Sequence, residues 1–234
     1  MLFVTGTDTG VGKTLLAALL ARHLRQAGVR VAALKPICSG ARDDARALHA
    51  ALGGALTLDE INPWHFRAAL APLLAARGEG RRVRLAEVAS RVRRVQQRFE
   101  VVLVEGAGGL LSPLGEGFSS LELLTALRAT PLIVCPNRLG AINQVLLVLA
   151  ALPRAFARRA VVVLLAPRHA DTVSRSNLDL LTEFHPAERV IELPWLPQPS
   201  CLASTLACPR LRRVLDALVR VSSRAVSLLP RGRR

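Results

Sequence analysis

Short apolar runs alternate with longer amphipathic stretches along most of the chain. The first run, residues 2–5, precedes a glycine-rich loop and a helical pattern over residues 13–27 that stops at Gly28. Runs rich in Val, Ile and Leu then predict buried strands at residues 29–36, 100–106, 130–136 and 160–167. Near-continuous apolar strands that alternate with helices indicate an α/β fold, a mostly parallel sheet with helices on both faces.

Length and composition favour one domain. The chain has 234 residues, and 51% of them are hydrophobic, which is enough for one large buried core. We expect a single domain over residues 1–226 and a frayed basic tail over residues 227–234. No uninterrupted apolar run of about 18 residues occurs, and the first residues lack the basic region and cleavage site of a secretory signal. We therefore expect a cytoplasmic enzyme without a membrane partner.

The glycine-rich loop "GTDTGVGKT", Gly6 to Thr14, follows the first strand, where ligands bind in parallel sheets. A usual phosphate loop has four residues between its glycines, whereas five lie between Gly6 and Gly12 here. Its backbone N–H groups and helix start still suit phosphate oxygens, while Lys13 can reach the outer phosphates and Thr14 can bind Mg²⁺. The loop therefore predicts a P-loop NTPase-like fold with a variant spacing.

Charged residues follow other strands at the same predicted edge. Lys35 in "ALKPICSG" ends the second strand, and a second ammonium opposite Lys13 would stabilise a phosphoryl group in transfer. Magnesium bound to a nucleoside triphosphate needs carboxylate ligands, for which Glu105 in "VEGAGG" is a candidate. Asp43 and Asp44 are further candidates, although Asp44 alone could equally be a helix cap.

The number and distribution of basic residues indicate whether the protein binds a nucleic acid. The net charge of +15 would suit a nucleic acid, but it is spread along the chain, and only 3% of residues are aromatic. The Arg-rich runs alternate with apolar residues at helical spacing, as solvated helix faces do. Of the 32 Lys and Arg residues, only Lys13 and Lys35 are lysine, and both lie beside predicted phosphate-site sequence. We therefore expect no nucleic-acid partner.

Several segments together resemble one family, the ATP-dependent dethiobiotin synthetases. They occur in order between residues 3 and 197: "FVTGTDTGVGKT", "LKPICSG", "INPWHFRAALAP", "VLVEGAGGLLSPL", "NRLGAINQ" and "LPWLP". The first and fourth segments are the most specific, and the extra residue in the phosphate loop is a normal feature of this family. The resemblance implies a homodimer that converts 7,8-diaminononanoate, CO₂ and ATP into dethiobiotin, ADP and phosphate. The route implied is through a carbamate and a carbamic-phosphoric anhydride.

The resemblance also assigns roles to residues. It implies that Lys35 is catalytic, and that Thr14, Asp44 and Glu105 are ligands of Mg²⁺. It implies ATP binding by Gly10, Val11, Gly12, Lys13, Thr14, Leu15, Asp44, Glu105, Gly106, Ala107, Gly108, Pro167, Arg168, Pro194, Trp195 and Leu196. It implies substrate binding by Thr9, Ser39, Gly140, Ala141, Ile142 and Asn143, the last four across the dimer interface.

One departure from the family pattern concerns the adenine. The family usually has an adenine-pairing asparagine after a late strand, whereas this chain has "LLAPRH", with Pro167 at that position. Proline has neither a side-chain hydrogen-bonding group nor a backbone N–H. We predict either a relaxed nucleotide preference or a compensating contact from Arg168 or the loop at Pro194.

Two alternatives compete with this interpretation. One is another amide-forming ligase of the same fold group, such as a cobyrinate-type amidase-ligase, but the chain lacks a glutaminase domain with its cysteine nucleophile. The other is a partitioning-type P-loop ATPase that acts as a switch on DNA or membrane. Those proteins have a lysine early in the loop, where this chain has Thr7 and Asp8.

Overall fold

The architecture is a parallel sheet with its helices packed around it, as a computed structural model of residues 1–197 and 206–223 describes it. The strands are β1 Leu2–Gly6, β2 Val31–Leu34, β3 Ile37–Ser39, β4 Trp64–Phe66, β5 Val101–Glu105, β6 Pro113–Gly115, β7 Phe118–Ser119, β8 Thr130–Pro136, β9 Val161–Leu165 and β10 Val190–Leu193. The helices are α1 Lys13–Gln26, α2 Asp43–Ala51, α3 Leu58–Ile61, α4 Pro72–Gly78, α5 Leu85–Gln96, α6 Ser120–Leu127, α7 Ala141–Ala151, α8 Arg154–Ala157, α9 Thr172–Thr182 and α10 Pro209–Ser223. A 3₁₀ turn at Ala187–Arg189 precedes β10.

The main sheet has six strands in the order β10-β9-β8-β1-β5-β2, and all neighbouring pairs are parallel. Its strands are short and mostly apolar, and β1, β2, β5, β8 and β9 are buried along most of their length. Such runs form strands buried on both faces, because helices must cover a parallel sheet on each side. The predicted α/β class with a mostly parallel sheet is confirmed.

Helix α1 shows why the sequence folds this way next to the phosphate loop. Leu16, Leu20 and Leu24 recur at helical spacing, and all three are buried in the main apolar core. The helix ends at Gln26, and Gly28 follows with a φ of +79°, a left-handed conformation that favours glycine. The predicted end of the helix therefore lies within one residue of the observed one.

The second strand differs from its prediction. Residues 29–36 were expected to form one strand, but β2 stops at Leu34 and a new strand begins at Ile37. β3 leaves the main sheet and pairs instead with β4, so that Lys35 and Pro36 fall between two sheets. The physical reason is Pro36, which cannot donate to a strand ladder and ends the pairing with β5.

The core is continuous around the central strands. Phe3, Leu16, Leu103 and Ile133 are buried and belong to one apolar cluster. Within the described ranges no helix is long and apolar enough to cross a bilayer. The prediction of a frayed tail at residues 227–234, and the last residues of the expected domain, lie outside the described part of the chain.

Candidate active site

The phosphate loop joins the end of β1 to the start of α1 and depends on two glycines. Gly10 and Gly12 have φ values of +73° and +96°, which L-residues with side chains rarely adopt. A Cβ at Gly12 would also collide with the side chain of Leu165 at the end of β9. Gly12 thus allows the backbone to turn tightly into α1, whose first N–H groups form an anion-binding helix start.

Lys13 lies inside this loop. Its side chain is almost fully buried, and its Nζ donates to the carbonyl oxygen of Asp8 at 2.7 Å. Burial, and then the nearby ammonium of Lys35, lower the pKa of Lys13 to about 8. A phosphate bound at the loop would give the Lys13 ammonium a negatively charged partner in place of this neutral carbonyl oxygen.

Lys35 is the centre of the charged cluster. Its Nζ donates to Glu105 Oε1 at 2.7 Å and to the carbonyl oxygen of Gly106 at 3.0 Å, and it lies 2.8 Å from Asp44 Oδ2. Burial alone would lower the pKa of Lys35, but the carboxylates of Glu105 and Asp44 outweigh it, so the pKa is raised. Lys35 therefore carries its charge in a buried position with three acceptors around it.

Thr14, Asp44 and Glu105 supply hard oxygen atoms beside the loop. The Thr14 hydroxyl donates to Glu105 Oε1 at 2.7 Å, whereas Glu105 Oε2 is buried and has no hydrogen-bond partner in the described chain. Burial would raise the pKa of Asp44, but Lys35 opposes this effect and the pKa is lowered, so Asp44 is ionised. A buried carboxylate oxygen without a partner fits a cation that arrives with the phosphates.

These oxygens do not form a complete protein-only metal site. Residues 1–197 and 206–223 contain no group of three or more His, Cys, Asp or Glu that could hold a metal ion. Magnesium often takes one or two carboxylates and completes its shell with water and substrate phosphates. The donor set of one hydroxyl and two carboxylates therefore fits Mg²⁺ bound together with a nucleotide.

The loop and the cluster open onto one cleft of about 780 Å³. Its far wall is formed by Ala69, Leu70, Ala71 and Pro72, a segment that precedes and begins α4. The predicted site residues that line the cleft are Thr9, Gly10, Gly12, Lys13, Thr14, Lys35, Ser39, Asp44, Glu105, Ala107 and Gly108. A polar floor and an apolar wall in one cleft suit a phosphate compound beside an alkyl chain.

The chain is similar in sequence to proteins of known name. A family model described as AAA domain matches residues 1–200. The ATP-dependent dethiobiotin synthetase of Anaeromyxobacter dehalogenans strain 2CP-C is 41% identical over 84% of this chain and 90% of its own length. The enzyme of the same name from Akkermansia muciniphila is 38% identical over 81% of this chain and 90% of its own length. The chain belongs to the dethiobiotin synthetase family.

Solved structures agree on the fold. The MinC:MinD cell division protein complex of Aquifex aeolicus gives a TM-score of 0.60 at 15% identity and covers 100% of this chain and 98% of the other. A ParA family ATPase of Chlorobium tepidum gives 0.58 at 15% identity and covers 93% and 98%. At this identity the likeness concerns the fold alone, and the P-loop NTPase-like fold is confirmed. The sequence relatives are dethiobiotin synthetases, which favours that interpretation over a partitioning switch.

Some residues assigned through the family resemblance lie outside the cleft wall. The side chain of Val11 is buried in the core and that of Leu15 packs against the core, so only their backbone groups are free to contact a ligand. Gly106 contributes its carbonyl oxygen to Lys35, and a Cβ there would press on the hydroxyl of Ser120. At these three positions only main-chain groups are available to the site.

The residues assigned to adenine in this family lie at the ends of β9 and β10. The N–H of Ala166 donates to the carbonyl oxygen of Leu193 at 2.9 Å, which holds the two strand ends together. The guanidinium carbon of Arg168 lies 5.6 Å from the ring centre of Trp195, a cation–π contact. Leu165, at the end of β9, lies close to Gly12 of the phosphate loop. The cleft itself is not lined by Pro167, Arg168, Pro194, Trp195 or Leu196.

The segment assigned to the substrate carboxylate is separate from the cleft. Gly140 precedes α7 with a φ of +87°, and Ala141, Ile142 and Asn143 form the first turn of this helix. None of the four lines the cleft. Within one chain these four residues therefore do not reach the cleft, and their assignment to the substrate stays a prediction.

Sequence reasoning missed two parts of the site. It assigned no role to Asn62, which is buried beside Lys35, and it did not foresee the apolar wall of residues 69–72. Ser39 Oγ donates to the carbonyl oxygen of Leu70 at 2.5 Å, which ties that wall to the predicted substrate side. Both parts lie in or next to the block "INPWHFRAALAP", so its resemblance to the family was the available signal.

Proposed function

We propose that this chain is an ATP-dependent dethiobiotin synthetase that acts on 7,8-diaminononanoate, CO₂ and ATP. The observation that carries the proposal is the position of Lys35, whose buried ammonium lies between the carboxylates of Asp44 and Glu105 in the cleft below the phosphate loop. Membership of the family supports the reaction.

The nucleotide end is the phosphate loop. Backbone N–H groups of residues 10–15 and the ammonium of Lys13 hold the phosphates, and Lys13 leaves the carbonyl oxygen of Asp8 to do so. Thr14, Asp44 and Glu105 would hold Mg²⁺, and the unpartnered Oε2 of Glu105 supports this assignment. When bound, the ion neutralises charge on the phosphate oxygens.

Lys35 stabilises the charge that moves during the reaction. One amine of the diamine adds to CO₂ and loses a proton, and an oxygen of the resulting carbamate forms a bond to the γ-phosphorus as ADP leaves. The second amine then attacks the carbonyl carbon of this anhydride, loses a proton, and expels phosphate as the ring closes. The carbamate and the transferring phosphoryl group are both anionic, and a point charge beside them stabilises each.

The substrate side of the cleft supports a long aliphatic diamine. Thr9 and Ser39 present hydroxyl groups near the charged cluster, and the wall of residues 69–72 is apolar. An alkyl chain along this wall would bury apolar surface while its two amines remain near Lys35.

A second copy of the chain completes the proposed site. Leu111 and Leu147 are each 63% exposed, and together with Asp8 and Gln144 they line a shallow groove beside the phosphate loop. A homodimer that covers this groove would bring the start of α7 of one copy towards the cleft of the other. Sedimentation equilibrium measures this directly, and a monomer at micromolar concentrations would contradict the dimer.

The direct test of the function is nucleotide turnover with the three substrates. Release of ADP from Mg-ATP should require both the diamine and bicarbonate, because the carbamate is the group that attacks the phosphate. ADP release that ignores both compounds, or that responds to DNA instead, would overturn the proposal in favour of an ATPase switch.

A further inference from the structure

Asn62 is buried between the elements that carry Lys35 and Asp44. Only 1% of its surface is exposed, and its side-chain Nδ2 donates to the carbonyl oxygen of Lys35 at 2.8 Å. Its Oδ1 accepts from Arg42 Nε at 3.1 Å and from Cys38 Sγ at 3.2 Å. A buried amide with both ends bonded fixes the groups that it contacts, because an unpaired partner would be costly.

The hydrogen bond from Asn62 to Lys35 satisfies a backbone group that has no partner in the main sheet. The pairing of β2 with β5 ends at Leu34, and β3 begins at Ile37 in a different sheet, so Lys35 has no strand neighbour. Its N–H donates to the carbonyl oxygen of Ile61 at 3.0 Å, and its carbonyl oxygen accepts from Asn62. Residues 61 and 62 therefore take the place of the missing strand for this one residue.

The bonds to Arg42 fix the start of α2. Arg42 is the residue that precedes this helix, and it has no side-chain cap of its own. In addition to its Nε bond to Asn62 Oδ1, its Nη2 donates to the carbonyl oxygen of Asn62 at 2.9 Å and to Asp59 Oδ1 at 2.8 Å. Asp44 follows two residues later in the first turn, 2.8 Å from Lys35.

We propose that Asn62 is a positioning residue for the reaction, which fixes Lys35 directly and Asp44 through Arg42. Neither Asn62 nor Arg42 lines the cleft, so the effect passes through these hydrogen bonds and not through contact with substrate. The inference rests on the proposed function of Lys35. It goes further in naming what keeps the Lys35–Asp44 pair in place.

The consequence is a specific kinetic pattern. Replacement of a residue that orients a catalytic group usually lowers activity about 10- to 100-fold. A displacement of the catalytic group by about 1 Å is enough for such a loss. The loop around Lys13 makes no hydrogen bond to Asn62, so ATP binding should be retained. Loss of the donor to Lys35 alone should therefore lower kcat while KM for ATP stays within about twofold. Loss of the acceptor for Arg42 as well also loosens Asp44, and it should in addition raise the Mg²⁺ concentration needed for activity.

The test compares two variants of Asn62 with a buried control. Asn62→Asp keeps the shape and the acceptor for Arg42 but removes the donor to Lys35, and Asn62→Ala removes both. His185 is buried, and its Nε2 bonds to the carbonyl oxygen of Ala160 at 2.8 Å, at the amino end of β9 and away from the cleft. His185→Ala should lower the unfolding midpoint as the Asn62 variants do, but it should keep the wild-type kcat.

Steady-state kinetics decide between positioning and simple destabilisation. We expect kcat about 10- to 100-fold below wild type for both Asn62 variants, with KM for ATP nearly unchanged in Asn62→Asp and a raised Mg²⁺ requirement only in Asn62→Ala. A folded Asn62→Asp protein with wild-type kcat, or a His185→Ala protein that loses kcat to the same degree, would overturn the proposal.

A third variant covers the case in which neither Asn62 variant folds. Arg42→Met keeps the aliphatic stem but removes the guanidinium, and the Arg42 side chain is 19% exposed, so this change leaves no fully buried gap. Wild-type kcat in Arg42→Met would then overturn the proposal, and a several-fold loss would support it.

Failure of the proposed function is distinguishable from failure of the positioning role. If the wild-type protein makes no dethiobiotin, the proposed function fails separately, and Mg-ATP hydrolysis by the same variants tests the positioning role.

Discussion

Lys35 Nζ and Glu105 Oε1 lie 2.7 Å apart in the interior, although 70 positions separate the two residues in the chain. The contact forms because β2 and β5 are neighbours, so that both residues reach the carboxyl edge of the sheet side by side. Removal of one partner of a buried pair typically costs about 3–5 kcal/mol of stability. Useful variants at this cluster therefore keep the charge or the shape of the original side chain.

Lys35→Arg tests whether a point charge is required. Arginine keeps the positive charge, but its planar fork cannot occupy the position of an ammonium that has three acceptors within 3.0 Å. We expect kcat to fall about 100- to 1,000-fold, the usual cost of losing one transition-state donor. Steady-state assays of ADP release measure it, and near-normal turnover would show that Lys35 is not at the catalytic centre.

Asp44→Asn tests the metal assignment, with Asp43→Asn as a matched control. Asp44 faces Lys35 and the cleft, whereas Asp43 is 77% exposed and pairs with Arg46. The Mg²⁺ concentration needed for half-maximal activity should rise about tenfold or more in Asp44→Asn, and it should not change in Asp43→Asn. An equal response of the two variants to Mg²⁺ would contradict the assignment.

The lowered pKa of Lys13 predicts proton uptake when the nucleotide binds. With a pKa of about 8, most of the Lys13 amines are neutral above that pH in the free protein. Phosphate favours the charged form, so Mg-ATP binding at about pH 8.5 should take up a proton from the buffer. Calorimetry in two buffers of different ionisation enthalpy detects the uptake, and Lys13→Arg should abolish it because arginine is always charged. Identical heats in both buffers for the wild-type protein would argue against this state of Lys13.

Trp195 lies in the segment assigned to the nucleobase, and its fluorescence can be used to follow nucleotide binding. The chain has only two tryptophans, so Trp64→Phe leaves Trp195 as the only indole. Nucleotide binding should change its fluorescence, and Trp195→Ala should raise KM for nucleotides about tenfold, since base–aromatic stacking is worth about 1–3 kcal/mol.

Pro167 stands where the family usually has an asparagine, which predicts either a relaxed nucleotide preference or a compensating contact from Arg168 or the loop at Pro194. If the preference is relaxed, CTP and GTP should also support turnover in steady-state assays. A strict ATP preference would contradict the predicted relaxation.

The strands and the phosphate loop were predictable because they depend on local pattern. Apolar runs at residues 130–136 and 160–167 correspond to β8 and β9, and the glycines before Lys13 adopt the left-handed conformations that a phosphate loop requires. The rule that ligands bind beyond the carboxyl ends of parallel strands then grouped Lys35 with Glu105. The structure brings these two residues into contact, while their roles in the reaction remain proposals.

What sequence reasoning missed depends on contacts between distant segments. The pairing of β3 with β4 joins strands of three residues each, too short to show a period. β10 was likewise not foreseen, since its four residues include a polar Glu192. The family resemblance of its segment marked Asn62, but its contacts could not be predicted, because its partners Lys35 and Arg42 lie 27 and 20 positions away.

The most direct measurement follows carbon from bicarbonate into the product. The protein is incubated with 7,8-diaminononanoate, Mg-ATP and ¹³C-bicarbonate, and the reaction mixture is analysed by mass spectrometry. The account predicts dethiobiotin that is heavier by one mass unit, formed in equal amount with ADP and almost absent with Lys35→Arg. A folded wild-type protein that hydrolyses ATP without forming labelled dethiobiotin would contradict it.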